Sequence, residues 1–234
     1  CFRKDPAKRI TFSHRSVRCE RCETIFEMSS QRNSQTPNAN GIALFLDRDG
    51  TINTEVDFLR HPDDLRLIPG AAQSIREARS AGLKVIIFTN QSGIARGLLT
   101  EDDLERVHER LRSLLTAEGA GADAIYYCPH HPTLGSPKYS LDCDCRKPKP
   151  GMLRRAAREH GLDLERSFVV GDRSVDMEAG RAAGCRTILV LTGYGSTERS
   201  ECEERLIVDH VSPDVHHAWS YVQNRLRRGL DHNI

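Results

Sequence analysis

Ile42-Ala43-Leu44-Phe45-Leu46-Asp47-Arg48-Asp49-Gly50-Thr51 is an unbroken apolar run that ends in two aspartates and a glycine turn. A short continuous run of this kind suits a strand buried on both faces, as in a parallel sheet covered by helices. Side chains alternate along a strand, so Asp47 and Asp49 leave it on the same side and can face one ligand. An Asp-x-Asp on an arbitrary loop is an ordinary solvated turn. Its place directly at the end of a buried strand makes it a candidate site.

The same pattern repeats downstream. Residues 84–88, 124–127, 168–170 and 187–191 are further short apolar runs, and between them 70–81, 100–118, 151–160 and 174–183 have helical character. Thr100 followed by Glu101-Asp102-Asp103 is a capping residue with acids behind it, suited to a helix N-terminus. A last amphipathic stretch, 213–227, predicts a closing helix with Trp219 in the core. Strands alternating with helices predict an α/β fold with a doubly wound, Rossmann-type parallel sheet, whose ligands bind at the carboxyl ends of the strands. Only 52–84 separates the first strand from the second, and most of that reads as helix, so no large cap domain is expected and the site should be open.

Composition narrows the function classes. The 234 residues carry 34 Lys+Arg against 33 Asp+Glu, a formal net charge of +1, which offers no bulk attraction to nucleic acid or an anionic membrane. No apolar run approaches the roughly 20 residues of a membrane span, and Cys1-Phe2-Arg3-Lys4-Asp5 lacks the apolar core of a signal peptide. The expectation is a soluble cytoplasmic monomer acting on a small molecule, with no nucleic-acid or membrane partner. Residues 1–40 are polar and end in a stretch of disordered composition. Met28 directly precedes that stretch, so residues 1–27 are expected to lie upstream of the true start. The folded domain is expected over 41–228, with a flexible tail at 229–234.

Eight cysteines do not read as a disulfide framework, which belongs to short secreted chains. Cys19-Glu20-Arg21-Cys22 has zinc-knuckle spacing but no second pair nearby. Cys128-Pro129-His130-His131 and Cys143-Asp144-Cys145 are different. They offer three thiolates and an imidazole, a closed Cys3His set typical of structural zinc, around an insert with little to pack on that a metal clip would order. Cys185, in an apolar stretch, reads as a buried thiol.

Two further strand ends complete a site. Phe168-Val169-Val170-Gly171-Asp172 ends in a third carboxylate, and three strand-end acids could hold Mg2+, a hard cation that takes oxygen ligands. Thr89-Asn90-Gln91-Ser92-Gly93 follows residues 84–88 with hydroxyls, amides and backbone donors suited to phosphate oxygens. Arg146-Lys147 brings positive charge just before a helix start, which also favours anions. Acids, a metal, a hydroxyl and a lysine around one anion make a phosphoryl-transfer site.

Asp47-Arg48-Asp49-Gly50-Thr51, Thr89-Asn90, Lys147 and Gly171-Asp172 resemble, in order, the four motifs of the haloacid dehalogenase superfamily. More narrowly, the 89–97 stretch, Tyr126-Tyr127-Cys128-Pro129-His130-His131-Pro132 and Cys143-Asp144-Cys145-Arg146-Lys147-Pro148 are similar to the D-glycero-D-manno-heptose-1,7-bisphosphate 7-phosphatases. The resemblance covers about residues 41–195. It implies that Asp47 is the nucleophile, that Asp49 is the general acid and base, and that Thr89 and Lys147 hold the transferring group. It further implies Mg2+ on Asp47, Asp172 and the carbonyl of Asp49, and zinc on Cys128, His130 rather than His131, Cys143 and Cys145. Substrate contacts would fall at Glu55, Val56, Asp57, Phe58, Asn90, Gln91, Ser92, Arg146 and Arg173, with Asp176 buttressing the loop. The implied activity is removal of the 7-phosphate in the synthesis of nucleotide-activated heptose for lipopolysaccharide. Glu55, Phe58 and Arg173 depart from the aspartate, tyrosine and lysine expected there. Histidinol-phosphate phosphatase and nucleic-acid 3′-phosphatase are the competing activities. A zinc-stabilised binding module without catalysis is the competing class, and its signature, a missing nucleophile or metal acid, is absent.

Overall fold

The structure, a computed structural model, describes residues 41–230; the expected N-terminal extension, the Cys19/Cys22 pair and residues 231–234 lie outside the described residues. Six strands, β1 (Ala43–Leu46), β2 (Lys84–Asn90), β3 (Ala124–Cys128), β4 (Phe168–Gly171), β5 (Arg186–Val190) and β6 (His210–Ser212), form one sheet in the order β3-β2-β1-β4-β5-β6. Every pairing is parallel. The helices are α1 (Ala71–Ser80), α2 (Glu101–Ala117), α3 (Gly151–His160), α4 (Ser174–Ala183), α5 (Gly195–Glu204) and α6 (Val215–Leu230).

The apolar run that opens the domain explains the double winding. Leu44 and Leu46 point to one face, where Ile75 of α1, Val107 and Leu111 of α2 and Trp219 and Val222 of α6 cover them. Ala43 and Phe45 point to the other, against Met152 and Ala156 of α3, Met177 of α4 and Cys202 of α5. Strand order reverses direction at β1, with β2 on one side and β4 on the other. A crevice opens at such a switch point beyond the carboxyl ends of the strands, and β1 and β4 are the strands that carry Asp47 and Asp172.

Three elements depart from the expected plan. β6 has three residues and α5 buries only Gly195 and Cys202, so neither carries an apolar period that a sequence can show. α6 runs on to Leu230, past the expected start of the tail at 229. Cys185 and Trp219 are buried as expected, and the indole N–H of Trp219 donates to Glu77 Oε2 at 2.8 Å. Thr100 caps α2 through a reciprocal box with Asp103. No cap domain stands between β1 and β2 among the described residues; a 3-10 turn (Pro62–Asp64) and α1 fill that stretch.

Candidate active site

Three buried carboxylates, Asp47, Asp172 and Asp176, converge at the switch point, one oxygen of each within 4.8 Å of the others. Asp47 ends β1, Asp172 follows β4, and Asp176 stands on the first turn of α4. One cation answers them: Lys147 Nζ lies 2.6 Å from Asp47 Oδ1 and 2.6 Å from Asp176 Oδ1, over the Phe88 ring at 4.5 Å. Three acids against one lysine leave excess negative charge in a buried site. Burial therefore pushes Asp47 up to about 7, and burial with the Asp47 charge pushes Asp172 up to about 9. Asp172 Oδ2 accepts from the Tyr194 N–H at 2.8 Å, whereas Oδ1 is buried with no hydrogen-bond partner. A Cβ on Gly50 or Gly193 would stand 2.1 or 2.0 Å from Asp172 Oδ2. An oxygen set with an orphaned lone pair, surplus charge and a floor kept clear by two glycines fits a small divalent cation.

Asp49 has a different environment. Arg48, fully buried, grips it with Nη2 at 2.9 and 2.7 Å from the two carboxylate oxygens. Asn53 donates to Oδ1 at 2.9 Å and Gln91 to Oδ2 at 3.0 Å. Burial alone would raise its pKa, but the guanidinium and these donors overcome it and hold the carboxyl below its ordinary value.

The second cluster closes the loop after β3. Cys143 Sγ lies 3.5 Å from Cys128 Sγ and 3.2 Å from Cys145 Sγ, and His130 Nδ1 lies 3.7 Å from Cys128 and 3.4 Å from Cys145. Tetrahedral zinc with Zn–S bonds of about 2.3 Å sets its ligands roughly 3.4–3.8 Å apart, so this set fits zinc. His131 turns away: its Nδ1 accepts from the N–H groups of Thr133 and Leu134, each at 3.2 Å.

Comparison with known proteins gives this geometry a family. A HAD-hydrolase-like family model matches residues 144–218. The D-glycero-D-manno-heptose-1,7-bisphosphate 7-phosphatase of Chlorobaculum tepidum is 43% identical over 75% of this chain and 90% of its own length. The D-glycero-beta-D-manno-heptose-1,7-bisphosphate 7-phosphatase of Escherichia coli K12 is 42% identical over 68% of this chain and 84% of its own. The chain belongs to this phosphatase family. Its fold agrees: the crystal structure of D,D-heptose 1,7-bisphosphate phosphatase from B. bronchiseptica, complexed with magnesium and phosphate, superposes with a TM-score of 0.71 at 35% identity, covering 79% of this chain and 99% of that one.

The chain path places Asp47, Asp49, Thr89, Lys147 and Asp172 around one crevice. Several expected substrate contacts have other occupations. The Asn90 amide makes both its bonds to the main chain of Lys147, each at 3.1 Å, so it positions the lysine. Gln91 is buried, its Nε2 shared between Asp49 and Thr89 Oγ1 at 2.8 Å. Arg146 donates to the His130 carbonyl at 3.1 Å, which ties the thiol cluster to the residue before Lys147. Arg173 is paired with Glu198 at 3.1 Å and lies over the Tyr194 ring at 4.8 Å. Ser92 is half-buried at the start of the 91–100 turn. For Asn90 and Gln91 the reason is the same: a polar side chain at a strand end is first recruited by neighbouring groups, here the Lys147 main chain and the Asp49 carboxylate, that would otherwise be unsatisfied.

Glu55, Val56 and Asp57 do border open space. With Thr54, Thr192 and Tyr194 they line a cleft of about 650 Å³. Asp57 and Phe58 hold left-handed backbone angles, φ 37° and 66°, a strained conformation for residues with side chains, and Arg96 lies over the Phe58 ring at 5.6 Å. Arg48, Asn53, Tyr194, Glu198 and His108 are site residues the sequence reading missed. For Arg48 a signal existed: alternation continues Leu44, Leu46, Arg48 toward the α1/α2 face.

The loop that carries the thiols is also pinned to α2. Glu101 accepts from Tyr139 at 2.5 Å, Lys138 at 2.9 Å and Tyr127 at 3.1 Å. These bonds, Tyr139 first, hold its carboxyl down at about 2. A depressed carboxylate contributes stability above its unfolded pKa and loses it as pH falls through the folded one. Glu101→Gln is therefore expected to cost on the order of 0.5–1 kcal/mol at pH 7, small because the pair is partly exposed. The difference from wild type should shrink as pH falls from about 4.5 toward 2, as urea midpoints across that range would record.

Proposed function

We propose that this chain hydrolyses the 7-phosphate of D-glycero-D-manno-heptose 1,7-bisphosphate, with Mg2+ as cofactor and a structural zinc, as a cytoplasmic monomer supplying nucleotide-activated heptose for lipopolysaccharide. The observation that carries this reading is the Asp47–Lys147–Asp172 cluster at the switch point, in a chain whose relatives bear that activity in their names.

Asp47 attacks phosphorus and forms an aspartyl phosphate, dividing the reaction into two easier steps. Lys147 opposes the burial that raises the Asp47 pKa and holds its carboxyl in place, then shares the charge of the transferring group together with the Thr89 hydroxyl. Asp49, a carboxylate in the free site, must first take up a proton, for which the negative charge of the bound phosphate is the drive; it then gives that proton to the departing alkoxide and later takes one from the attacking water. Mg2+, held by Asp47, Asp172 and the Asp49 carbonyl, would neutralise the charge between nucleophile and phosphate. Asp176 holds Lys147 and accepts from the Arg173 N–H at 3.1 Å, a buttress for the same loop. The cleft beside the site supports a sugar: the carboxylates of Glu55 and Asp57 and the hydroxyl of Thr54 accept from sugar hydroxyls. Among the described residues no helix is long and apolar enough to cross a membrane.

The test is phosphate release with Mg2+ from the heptose bisphosphate, histidinol phosphate and a 3′-phosphorylated oligonucleotide. The heptose substrate is expected to lead in kcat/KM by about 10²-fold or more, within the discrimination that paired polar groups provide. Comparable turnover of all three would remove the specific assignment and leave a general phosphatase.

A further inference from the structure

A fully buried guanidinium requires partners on every side, and Arg48 has a second one that the reaction outlined above does not use. Its Nη2 and Nε serve Asp49, while Nη1 lies 3.3 Å from Nε2 of His108, on α2. His108 is itself buried, packed at 5.9 Å against Tyr127 and with Nδ1 3.9 Å from Glu105 Oε2. Guanidinium nitrogens only donate, so Nε2 must be the acceptor and the ring proton must sit on Nδ1, the side that faces Glu105. The imidazole is thus neutral, and burial with the Arg48 charge pushes its pKa down to about 3. Nothing in the packing of α2 calls for a polar group here, since the neighbouring turns present Val107, Leu111 and Leu115 to the core.

We propose that His108 is a positioning residue for the general acid: by accepting from Nη1 it fixes the rotation of the Arg48 guanidinium, and through the Nη2 and Nε bonds it sets where Asp49 stands over the leaving group. Asn53 and Gln91 hold the two Asp49 oxygens from the other side, so the orientation of the carboxyl depends on Arg48 staying in plane. Without the imidazole, the Arg48 guanidinium loses its only side-chain partner outside the Asp49 carboxylate among the hydrogen bonds described, and it can turn. The proposal rests on the assignment of Asp49 as general acid, and its test separates the two.

The experiment compares first-turnover rates, by rapid quench, on the heptose bisphosphate, whose alkoxide needs a proton to depart, and on 4-nitrophenyl phosphate, whose phenolate does not. The first turnover ends with phosphate on Asp47, so water activation does not enter. His108→Leu is expected to lose about 10- to 100-fold on the sugar phosphate, part of the general acid's usual contribution. Its KM and its rate on 4-nitrophenyl phosphate should stay within about threefold, a margin well below the contribution of an acid. His108→Gln, whose amide oxygen reaches the place of Nε2, should recover most of the loss. Equal loss on both substrates, or no loss on either, overturns the proposal. If the leucine variant fails to fold, Gln against Asn decides: Asn sets its oxygen nearer the place of Nδ1 and should lose selectively, and equal rates for the two overturn the inference. Asp49→Asn is the control. Selective loss there with none in His108→Leu removes only the role of His108, whereas no selective loss in Asp49→Asn removes the assignment of Asp49 itself.

Discussion

Asp47→Asn should lose turnover by on the order of 10⁴-fold or more, as removal of a nucleophile does, while the fold stays intact. The amide keeps the shape of the carboxyl and can still accept from Lys147, which stands 2.6 Å from Oδ1, but it cannot form the phosphoryl bond. Stability should move the other way. Burial raises Asp47 to about 7, so the folded state holds this proton more tightly than the unfolded chain, and the wild type loses stability as pH rises from 3.8 toward 7. The amide carries no such charge. In metal-free protein at pH 8, the melting temperature of Asp47→Asn should therefore equal or exceed that of wild type. Retained phosphatase activity would refute the nucleophile assignment, and a collapse of the melting transition would show that the ion pair with Lys147 outweighs the repulsion among the three acids.

The second large effect is expected from the thiol cluster. Wild type should carry about one zinc per chain, as a closed four-ligand site does, and Cys143→Ser should carry almost none. Activity should fall by about 10²-fold even though no thiol touches the carboxylates, on the scale that a misplacement of about 1 Å produces. Cys145 is two residues from Lys147, and Arg146 ties the His130 carbonyl to the same strand of chain. The insert it encloses is mostly exposed, Leu134 at 40% and Leu141 at 37%, and has few apolar contacts to order it without a metal. Limited proteolysis should then cut between residues 131 and 142 while the circular dichroism of the sheet persists. Zinc loss with full activity and an uncut loop would show that the loop is held by Glu101 and by the packing of Tyr127 and Tyr139 on Ile94, Leu99 and Leu104 alone.

These variants act on parts of the molecule that were unequally legible. The 42–51 stretch carries its own fold assignment because length and placement agree: a short unbroken apolar run bounded by a glycine turn suits a doubly covered strand, and acids directly at its end fall at the crevice. The same holds for Asp172 after β4 and for the Cys3His set, whose spacing leaves few alternatives. Asn90, Gln91 and Arg173 illustrate the opposite case. Their residue types suit phosphate equally well as they suit the main chain of Lys147, the Asp49 carboxylate or Glu198, and only the positions of those partners decide between them. β6 and α5 were invisible because three residues, or a helix with two buried positions, carry no period.

Sequence alone determined which chemical groups this protein has at hand: aspartates at the ends of two buried strands, a lysine before a helix and a Cys3His set with the spacing of a metal clip, since each is written in residue type and local spacing. The tertiary structure alone decided how that chemistry is aimed. Burying Arg48 between Asp49 and His108, and setting Lys147 between Asp47 and Asp176, brings together residues 60 and 100 positions apart. Their interaction follows from the path of the chain, which returns α2, the segment before α3 and the first turn of α4 to the carboxyl end of β1, and the low-dielectric interior that gives it force exists only once the sheet is covered on both faces.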